Sequence, residues 1–305
     1  MQNTTNPIHV AFVSNRKYFH FVLIAVTSIL HYHRTGNLVL HLIHPDLNEK
    51  DFSRLRLLQE NAPFDFIPHL LDPVKFTRDF GSSSPILWRL AIPELMPDVQ
   101  RLIYLDCDLV LCDDIEKLWS IDLQGNIMGA IGDRVGRKLQ IPGIDPLKYF
   151  NSGVMLWNLQ RMHEEKTMEK WQDTFRKHGC SLPMPDQTLL NLVHIDDSLL
   201  LPQNWNLHNS IYRNPPLEGM YSVEETIEAI RNPGIVHFTG HHKPWLICKF
   251  THHPYAYLFW HFALQAPISW RLKAKFLLKR LITGRMHEPK VKLAWGKDDI
   301  KKSWD

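Results

Sequence analysis

RLIYLDCDLVLCDDIEKLW (Arg101–Trp119) begins as a buried strand and ends in acid. Leu102, Ile103, Tyr104 and Leu105 form a short apolar run with the β-branched and aromatic content of an interior strand. Asp106 and Asp108 follow, spaced one apart, and then a second acidic pair, Asp113 and Asp114. Asp114 suits the N-cap of a short helix over Ile115–Trp119. Residues i and i+2 of a strand share a face, so a strand through Asp106 and Asp108 would aim both carboxylates at one point. Adjacent carboxylates repel unless a cation sits between them, and a hard divalent cation that also holds phosphate oxygens fits that role. The chain contains one D-x-D. The pattern is short, and solvated acids at a strand end would produce it equally well.

Around this stretch the chain alternates strand-like and helix-like segments. Ile8–Val13 is expected as strand one, Phe19–His31 as a helix, Asn37–Ile43 as strand two, and a helix capped by Asn48 or Asp51 runs to about Asn61. Phe64–Ile67 reads as a third strand, and Ile86–Leu95 as a helix shortened or kinked by Pro93. Beyond Trp119, Ile127–Ile131 and Tyr149–Leu159 are strand-like, and Arg161–His178 reads as one amphipathic helix. Pro185–Val193 reads as a helix begun by Asp186; Leu199–Leu201 and Gly234–Phe238 are short strands around a helix at Val223–Ile230. This order predicts an α/β fold with a mainly parallel, partly mixed sheet. Ligands of such sheets bind at the carboxyl ends of strands, where Ser14–Asn15 and Asp106–Asp108 both fall.

With 305 residues, 44% hydrophobic and 22% charged, the chain suits one large domain or one domain with an appendage. Its four cysteines have neither metal-finger nor disulfide-framework spacing, which favours reduced thiols in a cytosolic enzyme. The first residues lack a basic leader pattern, and the best apolar run, Phe19–Leu30, is too short to span a bilayer. Charge is uneven. Ile268–Asp305 holds eleven Lys or Arg against four acids, +7, which leaves −4 on the rest of a chain whose total is +3. Within it, Trp270, Ala274, Leu277, Leu278 and Leu281 form an apolar stripe among Arg271, Lys273, Lys275, Lys279 and Arg280. A basic amphipathic helix of this kind suits an anionic membrane surface, or a helix docked on the domain with a solvated basic face. Lys290, Lys292, Lys297, Lys301 and Lys302, beside Trp295 and Trp304, favour the membrane. No nucleic-acid-binding motif accompanies the charge. The expected division is a folded domain over residues 1–260 and a basic tail over 261–305.

Three further segments bear on the D-x-D: YFNSGVMLWNLQRM (Tyr149–Met162), PDQTLLN (Pro185–Asn191) and VHFTGHHKPW (Val236–Trp245). With LIYLDCDLVLCDDIEKLW, in this order and spacing, they resemble glycosyltransferase family 8. That family includes bacterial lipopolysaccharide galactosyl- and glucosyltransferases and glycogenin. The resemblance covers roughly Ile8 to Tyr257. It implies a GT-A fold, a UDP-sugar donor, Mn²⁺ or Mg²⁺, and retention of anomeric configuration. It implies that Asp106, Asp108 and His237 hold the metal, with Cys107 between the aspartates among the donor contacts. Two carboxylates and an imidazole suit Mn²⁺, although a strand histidine is otherwise more often a packed core residue.

By the same resemblance Lys243 and Arg89 reach the donor phosphates, with Gly240 permitting close backbone approach. Lys243 could equally be an ordinary loop lysine, and Arg89 a structural ion-pair member. Asn151, Asp186 and Gln187 match the positions that hold donor hydroxyls and face the anomeric carbon; amides and carboxylates read hydroxyls directionally. Asp186 would also serve as a helix N-cap and Asn151 as a turn residue. At the first strand the family's acidic pair is replaced here by Asn15 and Lys17, with Tyr18 left to stack on the base.

YLDCDLV also fits the aspartate-nucleophile phosphatase pattern, with Asp106 as nucleophile and Asp108 as acid/base. That reading leaves PDQTLLN and HFTGHHKPW without a role. A non-catalytic sugar-nucleotide-binding protein is the other alternative, opposed by the intact Asp106, Asp108, Asp186 and His237. The expected activity is transfer of one hexose, glucose or galactose, from a UDP-sugar to a glycan or glycolipid such as a lipopolysaccharide core. The expected location is cytoplasmic, peripheral on the inner face of the membrane.

Overall fold

The computed structural model describes residues 7–240, 243–246, 253–282, 291–292 and 299–300. Its first half follows the expected alternation: β1 (Ile8–Val13), α1 (Phe19–Tyr32), β2 (Leu38–His44), α2 (Glu49–Gln59) and β3 (Asp65–Leu70). Asn48 caps α2 in a reciprocal capping box with Asp51. A helix that the hydrophobic pattern did not reveal, α3 (Pro73–Phe80), follows, capped by Asp72 and closed by left-handed Gly81. The segment expected as one helix near Pro93 is a 3₁₀ helix, Pro85–Ala91, running into the single turn α4 (Ile92–Leu95). Pro93 sits in the first turn of α4, where its missing N–H costs no hydrogen bond.

β4 (Arg101–Leu105) ends at Leu105, and Asp106 and Cys107 leave it for a turn into β5 (Leu109–Leu111). Asp114 caps α5 (Ile115–Trp119) as expected, accepting from the Glu116 N–H. Next come β6 (Met128–Gly132), α6 (Val135–Leu139) and β7 (Phe150–Asn158). The single helix expected over Arg161–His178 is two, α7 (Leu159–Glu164) and α8 (Thr167–His178). The chain turns between them through Lys166, held at φ 51°. Periodicity does not register such a break, because only Leu159 and Met162 are buried before it, too few positions to set a phase against Thr167, Trp171 and Phe175 after it. After α9 (Pro185–His194) come β8 (Ser198–Leu200), a 3₁₀ turn Gln203–Asn206, β9 (Leu207–His208), α10 (Asn209–Arg213), α11 (Val223–Arg231) and β10 (Ile235–His237).

The central sheet runs β3-β2-β1-β4-β7-β6-β8. β7 is antiparallel to both β4 and β6; the other four pairings are parallel. A second sheet, β5-β10-β9, meets it where β4 gives way to β5. Apolar side chains fill both faces of the central sheet. One core joins Phe12 and Ile103 to Leu23, Phe259 and Phe262; the other joins Tyr104 and Trp157 to Leu87, Trp171 and Leu189. This two-sided burial explains the near-continuous hydrophobic runs of β1 and β4.

The chain continues through α12 (Ala256–Gln265) and α13 (Trp270–Ile282), with a small pair, β11 (Val291–Lys292) and β12 (Asp299–Ile300), beyond. α12 lies against α1, and Phe276 of α13 is buried against Phe259 and Trp260, worth about 2 kcal/mol. The docking face of α13 is therefore Leu272 and Phe276. The stripe Trp270, Ala274, Leu277 and Leu278 points outward, with Trp270 73% exposed. Lys290, Lys297, Lys301, Lys302, Trp295 and Trp304 lie outside the described residues, as does the His241–His242 pair. Among the described residues no helix is long and apolar enough to cross a membrane.

Candidate active site

The D-x-D does not lie in a strand, so the two-residue strand period is not what brings its carboxylates together. Asp106 and Cys107 occupy the turn where the chain passes from one sheet to the other, and the Asp106 N–H is held by the Gly153 carbonyl of β7 at 2.8 Å. Asp108 is held from the opposite side, its carbonyl accepting from the Phe238 N–H just past β10. β10 pairs antiparallel with β5 and sets His237 opposite Leu109. The result is a convergence: His237 Nε2 lies 3.1 Å from Asp108 Oδ1 and 3.7 Å from Asp106 Oδ2. Gly153 makes the approach feasible, since a Cβ there would stand 2.1 Å from His237 Cε1 and 2.9 Å from Asp106 Oδ2.

Two carboxylates and an imidazole, each offering one ligand atom within 4.8 Å of the others, form a donor set that fits Mn²⁺ or Mg²⁺. Asp114 and Glu116 with His33 make another such group among the described residues. There, however, the His33 ring nitrogens already bond Asp114 and Asn37, and Asp114 caps a helix.

Arg89 joins the acidic turn to a second cluster. Its Nη2 lies 3.0 Å from Asp106 Oδ1 and 3.3 Å from Asp186 Oδ2, and Nη1 donates to the Ser152 carbonyl at 2.7 Å. Tyr104 lies under the guanidinium at 4.7 Å and donates its hydroxyl to Asp106. The ion pair expected as an alternative role for Arg89 is thus present. Its buried Nε has no hydrogen-bond partner among the described residues, leaving a donor for a ligand. Asp186 occupies the first turn of α9 rather than the N-cap, which is Met184 at φ 50°. Burial pushes the Asp186 carboxyl up, against the opposing pull of Arg89.

Asn151 and Gln187 complete this second cluster. Both are buried; Asn151 Nδ2 donates to Gln187 Oε1 at 3.2 Å and to Asp133 Oδ2 at 3.1 Å. The Ser152 N–H also reaches Gln187 Oε1, and its hydroxyl donates to Asp186.

A cavity of about 340 Å³ opens over the acidic turn, lined by Val13, Tyr18, Arg89, Cys107, Lys243 and Trp245 as well as Asp106 and Asp108; Asn151, Asp186, Gln187 and His237 are buried and are not among its lining residues. Lys243 pairs with Asp108 and lies 5.5 Å over the Trp245 ring. Burial alone would raise the Asp108 carboxyl, but His237 and Lys243 hold it below the usual carboxylate range. Burial pushes the Cys107 thiol up, away from thiolate. Gly240 adopts φ 65° with open space around it; its need for glycine is conformational.

At the end of β1, Tyr18 is exposed and lines the cavity, whereas Ser14 and Asn15 are not among its lining residues. Ser14 is buried with its hydroxyl on the Asn15 carbonyl, and Asn15 Oδ1 accepts from the Tyr18 N–H. Asn15 thus shapes the turn that presents Tyr18.

Residues 9–248 match the family described as glycosyl transferase family 8. The chain belongs to glycosyl transferase family 8. Among its curated relatives, general stress protein A of Bacillus subtilis is 34% identical over 57% of this chain and 63% of that protein. The lipopolysaccharide 1,2-glucosyltransferase of Escherichia coli is 25% identical over 80% of this chain and 74% of that one. Among solved structures, the galactosyltransferase LgtC, crystallised with donor and acceptor sugar analogues, superposes with a TM-score of 0.74 at 20% identity. That match covers 88% of this chain and all of LgtC, and it establishes the GT-A fold.

Several residues of this family 8 site escaped the motif reading. Asp133 stands at the end of β6 and accepts from both Asn151 and Gln187; its place at a strand end beside IGDRVG was a readable signal. Ser152 and Gly153 sit inside the quoted YFNSG but carry no chemistry visible in one dimension. Asn206 lies in QNWN, where nothing in the sequence marks it.

Proposed function

We propose that this chain is a retaining hexosyltransferase that moves glucose or galactose from a UDP-sugar to a glycan or glycolipid acceptor, with Mn²⁺ or Mg²⁺ as cofactor. The observation that carries this reading is the convergence of Asp106, Asp108 and His237 beside a cavity lined by both aspartates, Arg89 and Lys243, with Arg89 tying Asp106 to the buried cluster of Asp186, Asn151 and Gln187. Asp106, Asp108 and His237 would hold the cation, which would supply positive charge opposite the departing diphosphate. Lys243 exchanges its carboxylate partner for phosphate oxygens, adding a point charge. Arg89 turns its unpartnered Nε to the same ligand while its Nη2 keeps Asp106 and Asp186 in place. Tyr18 stacks on the base at the cavity mouth, and Asn151, Asp186 and Gln187 read the sugar hydroxyls.

Asp186 shares its Oδ2 with Arg89 and Ser152, a role of charge partner rather than of an unencumbered nucleophile. The transfer is therefore a front-face displacement. The acceptor oxygen bonds to the anomeric carbon as the bond to the β-phosphate oxygen breaks, and the acceptor proton passes to that same phosphate oxygen. Similarity to the E. coli lipopolysaccharide enzyme supports a lipid-linked acceptor, as in lipopolysaccharide or another surface glycan. The outward stripe of α13 supports peripheral attachment of a basic tail, residues 261–305, to the cytoplasmic membrane face.

The test is hydrolysis of a UDP-sugar panel by the full chain with Mn²⁺, with EDTA, and as Asp108→Ala. UDP release from one sugar, abolished by EDTA and lowered at least about a hundredfold in the variant, is expected. Phosphate release from phosphomonoesters with no UDP release would replace this reading with the aspartate-nucleophile phosphatase.

A further inference from the structure

Asn206 is fully buried and touches both halves of the site. Its Nδ2 lies 2.8 Å from Asn151 Oδ1, and its Oδ1 lies 2.9 Å from His237 Nδ1. Asn206 ends the 3₁₀ turn Gln203–Asn206, and the Gly234 N–H donates to the Asn204 carbonyl, tying that turn to β10. The Trp205 ring lies where a Cβ on Gly234 would stand, 2.6 Å away, so the turn sits flat against the strand that carries His237. β9, which follows directly, pairs in parallel with β10 and aligns His208 with His237.

The hydrogen-bond directions follow from one backbone group. The Gly153 N–H can only donate, and it meets Asn151 Oδ1 at 3.0 Å. That oxygen is therefore an acceptor, and the Asn206 atom facing it is the amide nitrogen. Asn206 then presents its oxygen to His237, so His237 Nδ1 carries the proton. Nε2 is then the ring nitrogen turned toward Asp106 and Asp108. At 3.1 Å, its contact with Asp108 Oδ1 is favourable with positive charge between them, a proton on Nε2 or a cation in its place.

We propose that Asn206 is a positioning residue that locks His237 in the Nδ1–H tautomer and ties it, through Asn151, to the sugar-facing cluster. Metal ligands of this type owe their ring orientation and basicity to the partner on the other nitrogen. Here that partner is an amide whose second arm ends on Asn151, so the cation site and the sugar site are joined by two hydrogen bonds, His237–Asn206 and Asn206–Asn151. The proposal deepens the metal-dependent reading above and rests on it.

The test compares full-length wild type, Asn206→Ala and Asn206→Asp by two readouts. The first is the imidazole ¹⁵N signature of His237 in metal-free protein, assigned with His237→Gln. The second is Mn²⁺ affinity by electron paramagnetic resonance. In wild type the Nδ1–H signature is expected. In Asn206→Ala it gives way to a tautomer mixture, and Mn²⁺ binding weakens by about 10- to 100-fold. Asn206→Asp keeps an acceptor for Nδ1–H, so the signature persists and Mn²⁺ binds no more weakly than to wild type. Asn151 has then lost its donor, and the KM for the UDP-sugar rises. A folded Asn206→Ala with the wild-type signature and Mn²⁺ affinity overturns the proposal. Should that variant not fold, loss of Mn²⁺ binding by folded Asn206→Asp overturns it equally. Absence of Mn²⁺ binding by wild type would strike the metal reading instead, while the ¹⁵N signatures still decide the role of Asn206.

Discussion

At Gly153 the missing side chain is what the site requires. An added Cβ would stand 2.1 Å from His237 Cε1 and 2.8 Å from its Nδ1, so His237 or the Asp106 turn has to move. A shift of about 1 Å in a reacting constellation costs about a hundredfold in rate. Gly153→Ala is therefore expected to lower UDP-sugar turnover by at least that factor while leaving the circular-dichroism spectrum unchanged; a variant within fivefold of wild type would show that His237 tolerates displacement. The charged members of the site were legible because their chemistry is odd: paired carboxylates after an apolar strand, and a lysine fixed between glycine and proline. Gly153 and Asn206 were not, because their contribution is respectively the absence of an atom and an amide bridge between residues 55 and 31 positions away.

At the scale of elements, β1, β2 and β3 carry a row of three imidazoles. His9 Nδ1 meets His41 Nε2 at 2.9 Å, and His41 Nδ1 meets His69 Nε2 at 2.9 Å. Each link needs one donor and one acceptor, so the row holds together with its members neutral. Burial, with smaller contributions from His69 and His9, lowers His41 to about 3. Burial likewise lowers His9 and His69, the latter with help from His44. The ordinary value in the unfolded chain is about 6.5, so the unfolded state binds more protons below it. This stability is therefore complete above pH 6.5 and is lost as the pH falls from there toward 3, by at most about 1.4 kcal/mol per pH unit for His41. Urea unfolding at several pH values should show a shallower acid slope for His41→Phe than for wild type. Equal slopes would place the acid sensitivity elsewhere, for example in His20 or His194, which burial also lowers to about 4.

Most elements were legible from periodicity and caps, including α2 with Asn48 and α5 with Asp114. The misreadings share a cause. The α7–α8 break at Lys166, the 3₁₀ form of Pro85–Ala91 and the extension of β3 through Pro68 are each backbone choices made by packing or pairing across the sheet. Apolar spacing does not carry them.

For the whole molecule, charge and shape point the same way. The stretch from Ile268 to Asp305 carries +7 against −4 on the remainder, and α13 turns Trp270 and Leu278, 73% and 59% exposed, away from the body. Such a separation would orient the molecule at an anionic surface under the proposed attachment, with basic residues each worth about 1 kcal/mol near it and weakened by salt. Cosedimentation with phosphatidylserine-containing vesicles is expected for wild type at low salt and is expected to decline as salt rises. Trp270→Glu with Leu278→Glu is expected to weaken it about tenfold or more without changing donor hydrolysis. Unchanged partitioning of the double variant would sink the membrane assignment.

Sequence alone determined the α/β class, the family, the paired aspartates and several of the polar groups that gather near them, because residue type, order and local periodicity are one-dimensional properties. Only the tertiary structure decided how those groups meet. The Asp106–Asp108 turn is shaped by the handover of the chain from one sheet to another, Asp108 and His237 are 129 positions apart, and the direction of the hydrogen bonds from His237 through Asn206 to Asn151 descends from a backbone N–H on a third strand. Such convergence depends on strand register, and register is a relation between segments that neither segment states.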